Sequence, residues 1–184
     1  MLRGFLLSAF FAVLTAVGAA LAIPMPPIPF TLQTFFVLMS GLLLGPKYGP
    51  LSQALYLAMG LSGLPVFAGG TGGIQRVLSP SFGFLAGYVF TSWVAGFLSS
   101  GKRKTMAWCF FASFAATAVL YAIALPCFYL NMKYVAKTPA GVIGTLQMAF
   151  LPFLIPDSIK AAAAGYLASR IIPMLREGGL LPKI

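Results

Sequence analysis

Long apolar runs, broken by short segments rich in proline, glycine or basic residues, make up most of this chain. The first run, residues 5–23 behind Arg3, predicts a membrane-spanning helix. Within it Ser8, Ala12, Ala16 and Ala20 recur every four residues, giving one face a strip of small side chains against which another helix can pack closely. Such a strip serves either internal packing or the docking of a second protein. Ala20-Leu21-Ala22 has the form of a signal-peptide cleavage site, but every later run is also membrane-embedded, so the segment reads as a span. Ile23-Pro24-Met25-Pro26-Pro27-Ile28-Pro29-Phe30 then forbids regular helix and predicts a rigid extended loop, placed to act as a lid at a helix mouth.

A second helix is expected over residues 31–45 with Thr31 at its cap. Gly45-Pro46-Lys47-Tyr48-Gly49-Pro50 predicts a tight turn, so a third helix over residues 50–62 should run antiparallel to it. Helices four and five are expected over residues 80–98 and 104–132, with a kink at Pro126. Residues 140–152 are apolar but short of a span, which predicts a re-entrant or interfacial helix before the last helix at 156–172.

Composition turns these runs into a class. The chain has 184 residues, 60% of them hydrophobic and 8% charged, with no histidine, which is not the composition of a soluble domain. The expected fold is an all-α integral membrane protein, a single bundle of six transmembrane helices forming one domain over residues 1–184, since its length holds about six spans of about 20 residues. The net charge of +10 does not indicate nucleic acid, because the basic residues lie between apolar runs and are not interleaved with exposed aromatics. With six helices, Arg3, Lys47, Lys102, Arg103, Lys104, Arg170, Arg176 and Lys183 share one side, and Arg76, Lys133 and Lys137 the other. The positive-inside rule then places both termini in the cytoplasm, with Trp93 and Trp108 at the inner interface and Tyr129 and Tyr134 at the outer.

The chemistry of the chain is sparse. Two acidic residues and no histidine leave no general acid/base or metal set, so no enzyme and no cofactor are expected. Cys109 and Cys127 lack metal-ligand spacing and read as buried free thiols. Gly96-Phe97-Leu98-Ser99-Ser100-Gly101-Lys102 has the spacing of a phosphate-binding loop, but Arg103 stands where magnesium needs a hydroxyl and an apolar helix precedes it where a strand should. The chain therefore carries no ATPase of its own.

What chemistry there is gathers around Pro156-Asp157-Ser158-Ile159-Lys160. Pro156 suits the first position of a helix, which would set Asp157 in the first turn at the positive end of the dipole, with Lys160 three residues on along the same face. Placing such groups below a membrane surface costs about 2.5–3.5 kcal/mol each on insertion scales, so the pair is a candidate functional site. A second candidate is the loop Gly69-Gly70-Thr71-Gly72-Gly73, whose amides can form a small anion nest, followed by Arg76, whose guanidinium fork matches a carboxylate. On the expected topology the proline-rich segment, this loop and the start of the last helix converge on one outward-facing pocket.

With those residues in view the chain resembles the BioY family, the biotin-binding S components of energy-coupling factor (ECF) transporters. The resemblance rests on Pro29-Phe30-Thr31-Leu32-Gln33-Thr34-Phe35-Phe36-Val37-Leu38, Gly41-Leu42-Leu43-Leu44-Gly45-Pro46, Gly63-Leu64-Pro65-Val66-Phe67-Ala68-Gly69-Gly70 and Pro156-Asp157-Ser158-Ile159-Lys160. It departs at Ser79-Pro80-Ser81-Phe82-Gly83-Phe84, where the family pattern has a Gly-Pro-Thr-Gly-Gly-Tyr type of turn. It implies a six-helix, multi-pass protein of a prokaryotic plasma membrane that takes biotin from outside and docks on a transmembrane coupling subunit driven by ATPase subunits; the alternatives are an S component for a different vitamin or small molecule and, further off, an intramembrane enzyme. The resemblance also implies that Ala12 and Ala16 meet the coupling subunit, that the loop after the first helix closes over the ligand, and that Asp157 and Lys160 lie in the ligand site. The candidate substrate-binding set is Asp157, Lys160, Arg76, Gln33, Thr31, Phe67 and Gly70. The chemistry of biotin fits it, with Asp157 on a ureido N–H, Lys160 or Arg76 on the carboxylate or the ureido oxygen, and Phe67 along the valeryl chain.

Overall fold

The computed structural model describes residues 2–100, 105–137 and 141–178, with the side chains of Arg176 and Glu177 left aside. Lys102, Arg103, Lys104 and Lys183, on which part of the expected charge asymmetry rests, lie outside the described residues. The order of elements is α1 (Leu2–Ala20), β1 (Ala22–Ile23), β2 (Phe30–Thr31), α2 (Gln33–Leu61), a 3-10 turn (Ile74–Leu78), α3 (Phe82–Ser99), α4 (Met106–Tyr134), α5 (Val142–Ala149) and α6 (Leu151–Glu177).

The fold is all-α apart from one small hairpin, but the expected six transmembrane helices are not there. Among the described residues, α1, α3 and α4 are long and apolar enough to cross a membrane, and a fourth crossing exists only if α5 and α6, bent by 44° at their junction, are one span. The reason lies in α2. Its helical path breaks at Gly45 (φ 77°, ψ −174°), and its two parts, about 12 and about 16 residues, fall short of the roughly 20 that a span needs. An apolar run is therefore not the same thing as a span.

The two parts of α2 nevertheless fold back on each other, as the turn at residues 45–50 predicts. Gln33 Nε2 donates to the Tyr56 hydroxyl at 2.7 Å and Gln53 Nε2 to Ser40 Oγ at 3.0 Å, pairs that a straight helix would hold far apart. Only Gly45 leaves the helical region, and Pro46 then opens the second part as a first-position proline, so that part begins earlier than the expected residue 50. A Cβ on Gly96 would lie 2.4 Å from the Gly45 carbonyl carbon, so α3 packs directly on the reversal.

Around this hairpin, α2 contacts α1, α3 and α6, while α4 bridges α3 and α6. The strip on α1 turns inward at its centre. Ser8 is buried and donates to the Tyr48 carbonyl at 2.9 Å, Ala12 is 1% exposed, Ala16 is half-buried and Ala20 is exposed. One apolar cluster (Phe11, Leu38, Leu42, Tyr48, Ala112, Ile172) packs the interior. A second (Val37, Tyr56, Phe67, Phe84, Leu120, Phe128) lies beside the polar residues described below. Trp108 ties the start of α4 to the end of α3 by donating from Nε1 to the Leu98 carbonyl at 2.7 Å. Of the two free cysteines, Cys109 is buried as expected, whereas Cys127 is exposed, although its Cβ lies beside Gly83 of α3.

Candidate functional site

Thr31, Gln33, Phe67, Arg76, Asp157 and Lys160, which come from three distant stretches of sequence, line one cavity of about 150 Å³ that is open at its mouth. The strap between β1 and β2 contributes Pro27, Ile28 and Pro29, and the hairpin register Ala22↔Thr31 and Ile23↔Phe30 holds it across the ends of α1 and α2. Four prolines in this segment leave few backbone donors to satisfy, so it can cross the cavity without forming regular structure.

The polar wall is built on α6. Asp157 is not in the first helical turn, because α6 begins at Leu151 and runs through Pro156, so the helix dipole does not act on the carboxylate as the sequence predicts. Side chains hold it instead. Lys160 Nζ donates to Asp157 Oδ1 at 2.7 Å across the expected i,i+3 spacing, and the Tyr121 hydroxyl on α4 donates to Oδ2 at 2.5 Å. Both members of the ion pair are buried, 4% and 7% exposed. Lys160 also donates to the Thr31 carbonyl at 2.6 Å and sits 4.1 Å from the centre of the Phe30 ring, which stacks on Phe153. Of its three N–H groups one remains uncommitted.

From Thr31 the hydrogen bonds continue across the site. Thr31 Oγ1 donates to Gln33 Oε1 at 3.0 Å, Gln33 donates to Tyr56, and the Tyr56 hydroxyl donates to the Val66 carbonyl at 3.1 Å, beside the Phe67 ring that it meets edge-on. Thr31 does not sit at the helix cap, which is Leu32, although its hydroxyl accepts from the Gln33 amide at 3.4 Å.

The glycine-rich loop folds as a tight hairpin. Phe67 N–H donates to the Thr71 carbonyl at 2.9 Å, and the amides of Gly70 and Thr71 both turn to the Phe67 carbonyl. Gly69 and Gly70 take positive φ values of 74° and 66°, which this turn requires. Gly70 is not among the cavity-lining residues, and its amide is spent within the turn. The loop instead delivers Phe67 and Thr71 to the cavity, and Arg76 follows on the 3-10 turn. The Arg76 side chain is half-buried, and its guanidinium has no hydrogen-bond or ion-pair partner among the described residues.

Sequence reasoning missed Thr34, Phe84, Leu85, Tyr88 and Phe153, which also line the cavity, and Tyr121, which stands behind it. A signal existed for the tyrosines, because a phenol in an apolar helix must find a polar partner, and Phe84, Leu85 and Tyr88 share one helix face. Ser79, Pro80 and Ser81, at the departure from the family pattern, line the cavity as well. Among the described residues no group of three or more potential metal ligands occurs. The site thus offers a carboxylate, an ammonium and a free guanidinium, net charge +1, around an aromatic and aliphatic enclosure.

Residues 1–177 match the profile of the BioY family. The chain is 37% identical to a biotin transporter BioY of Thermotoga maritima over 170 residues, 92% of this chain and 96% of that protein. It is 38% identical to a probable biotin transporter BioY of Pyrococcus horikoshii over 165 residues, 90% of this chain and 93% of that one. A crystal structure of the S-component for biotin from an ECF-type ABC transporter aligns with a TM-score of 0.78 at 27% identity, covering 92% of this chain and 90% of that chain. The family match takes in the strap, the glycine-rich loop and the start of α6, every segment that builds the cavity, and the chain therefore belongs to the BioY family.

Proposed function

We propose that the cavity holds biotin and that the chain is the biotin-binding S component of an ECF-type transporter, a multi-pass membrane protein with a transport role and no catalytic one. The observation that carries the site assignment is the buried Asp157–Lys160 pair on the cavity wall with a free guanidinium, Arg76, on the same cavity. A ureido group presents N–H donors and a carbonyl acceptor together, and an adjacent carboxylate and ammonium meet both. Asp157 accepts a ureido N–H, and the uncommitted N–H of Lys160 donates to the ureido oxygen. Arg76, with no partner among the described residues, takes the ligand carboxylate, and the net charge of the three groups then balances that of the ligand. Phe67, Phe84, Leu85 and Phe153 enclose the thiophane ring and chain, with Thr31 and Gln33 completing the polar end.

Residues 1–184 act as one substrate-binding unit. Delivery inward is assigned to a coupling subunit and ATPase subunits, since the phosphate-loop-like spacing at residues 96–102 is followed by Arg103 where magnesium needs a hydroxyl. Ala12 is packed inside the fold, so any contact of the α1 strip with the coupling subunit falls on its Ala16–Ala20 end.

Calorimetry with purified, detergent-solubilised protein tests the assignment. Asp157→Asn and Lys160→Ala are each expected to weaken biotin binding tenfold or more, about 1.4 kcal/mol. Wild-type affinity in both variants would sink it.

A further inference from the structure

Tyr121 lies outside the cavity and yet touches its chemistry. It sits on α4, is 7% exposed, and is not a lining residue. Its ring is held edge-on by Phe84 at 6.0 Å and by Phe150 at 5.1 Å, both at 90°. Its hydroxyl donates to Oδ2 of Asp157, the oxygen that Lys160 leaves free. A carboxylate rotates easily about its last torsion, and Lys160, a long side chain on the same helix, fixes one oxygen only. A donor on the second oxygen, mounted on a different helix with its ring clamped from two sides, sets the plane of the carboxylate. Because that donor comes from outside the cavity, it does not consume the acceptor capacity on the cavity side. A carboxylate has about four lone-pair sites, of which Lys160 and Tyr121 take two.

We infer that Tyr121 is a positioning residue for ligand recognition: it orients Asp157 from behind so that the carboxylate meets the ureido N–H of the ligand in a single geometry. The role rests on the biotin reading above and adds to it a residue outside the pocket. It acts only through Asp157, so removing the hydroxyl should weaken the ureido end and leave the carboxylate end as it was. Tyr121→Phe removes one oxygen and keeps the ring between Phe84 and Phe150.

The test is calorimetry on the full chain with biotin and with biotin methyl ester, for wild type, Tyr121→Phe, Asp157→Asn and the double variant, together with ligand-free melting temperatures. Loss of a hydrogen bond to a charged group corresponds to about tenfold in affinity. Tyr121→Phe is expected to weaken both ligands by about that factor, and to weaken neither further when Asp157 is already Asn, with a ligand-free melting temperature close to that of wild type. A structural role alone would lower the melting temperature and would act equally in the Asp157→Asn background. Wild-type affinity in Tyr121→Phe, or an undiminished loss in the Asp157→Asn background, overturns the role while leaving the biotin reading intact. A wild-type chain that binds no biotin overturns the reading itself, and the role with it.

Discussion

Arg76 and Lys160 are both cations on the same cavity, but their surroundings give them different work. Lys160 spends two of its three donors on Asp157 and the Thr31 carbonyl, whereas the Arg76 guanidinium meets no protein group among the described residues. Arg76→Gln is therefore expected to weaken biotin binding about tenfold while leaving the methyl ester nearly unaffected, a comparison that calorimetry makes directly. Gly60 matters for a steric reason. A Cβ there would lie 2.0 Å from the tip of the Phe67 ring, so Gly60→Ala must push that ring out of place in the cavity wall. The expected result is a cost of about 1–3 kcal/mol in a thermal melt, with weakened ligand binding alongside it. The sequence makes Asp157 and Lys160 visible because charge is rare in apolar runs. It does not show that Tyr121 would complete the carboxylate, since the partner lies 36 positions away on another helix.

Among the elements, α2 decides the shape of the bundle. Gly45 takes a backbone conformation, φ 77° and ψ −174°, that is essentially restricted to glycine, and the reversal there lets Gln33 reach Tyr56. Gly45→Ala should cost about 1–3 kcal/mol, read as a lower melting temperature of the detergent-solubilised protein. The same element explains why counting spans failed. Pattern and turn chemistry identify two antiparallel helical parts, but neither is as long as a membrane crossing, and α5 meets α6 at a 44° bend. The start of α6 was misplaced for a related reason. A proline reads as a helix start, and here Pro156 is tolerated inside a helix that begins at Leu151.

For the whole molecule, the strap, the glycine-rich loop and α6 are joined by one line of hydrogen bonds, from Tyr121 through Asp157, Lys160, Thr31, Gln33 and Tyr56 to the Val66 carbonyl. A ligand bound within this line stabilises the folded chain by mass action, about 2.7 kcal/mol at a concentration one hundred times its dissociation constant. Biotin is thus expected to raise the melting temperature, and a panel of other vitamins at equal concentration is not. A rise with an unrelated vitamin and none with biotin would reassign the ligand.

Composition and apolar run length by themselves determined that this is a membrane protein, because so little charge leaves no other solvent for its surface. Rare polar residues and local motifs likewise identified the family and six of the residues that line the cavity, since charges in apolar helices and glycines at tight turns are informative where they stand. The number of crossings, the inward turn of the α1 strip, the tight internal bonding of the Gly70 turn and the support of Asp157 by Tyr121 depended on the tertiary structure. Each is a relation between segments far apart in sequence, set by how the helices reverse and pack, and no local pattern carries that information.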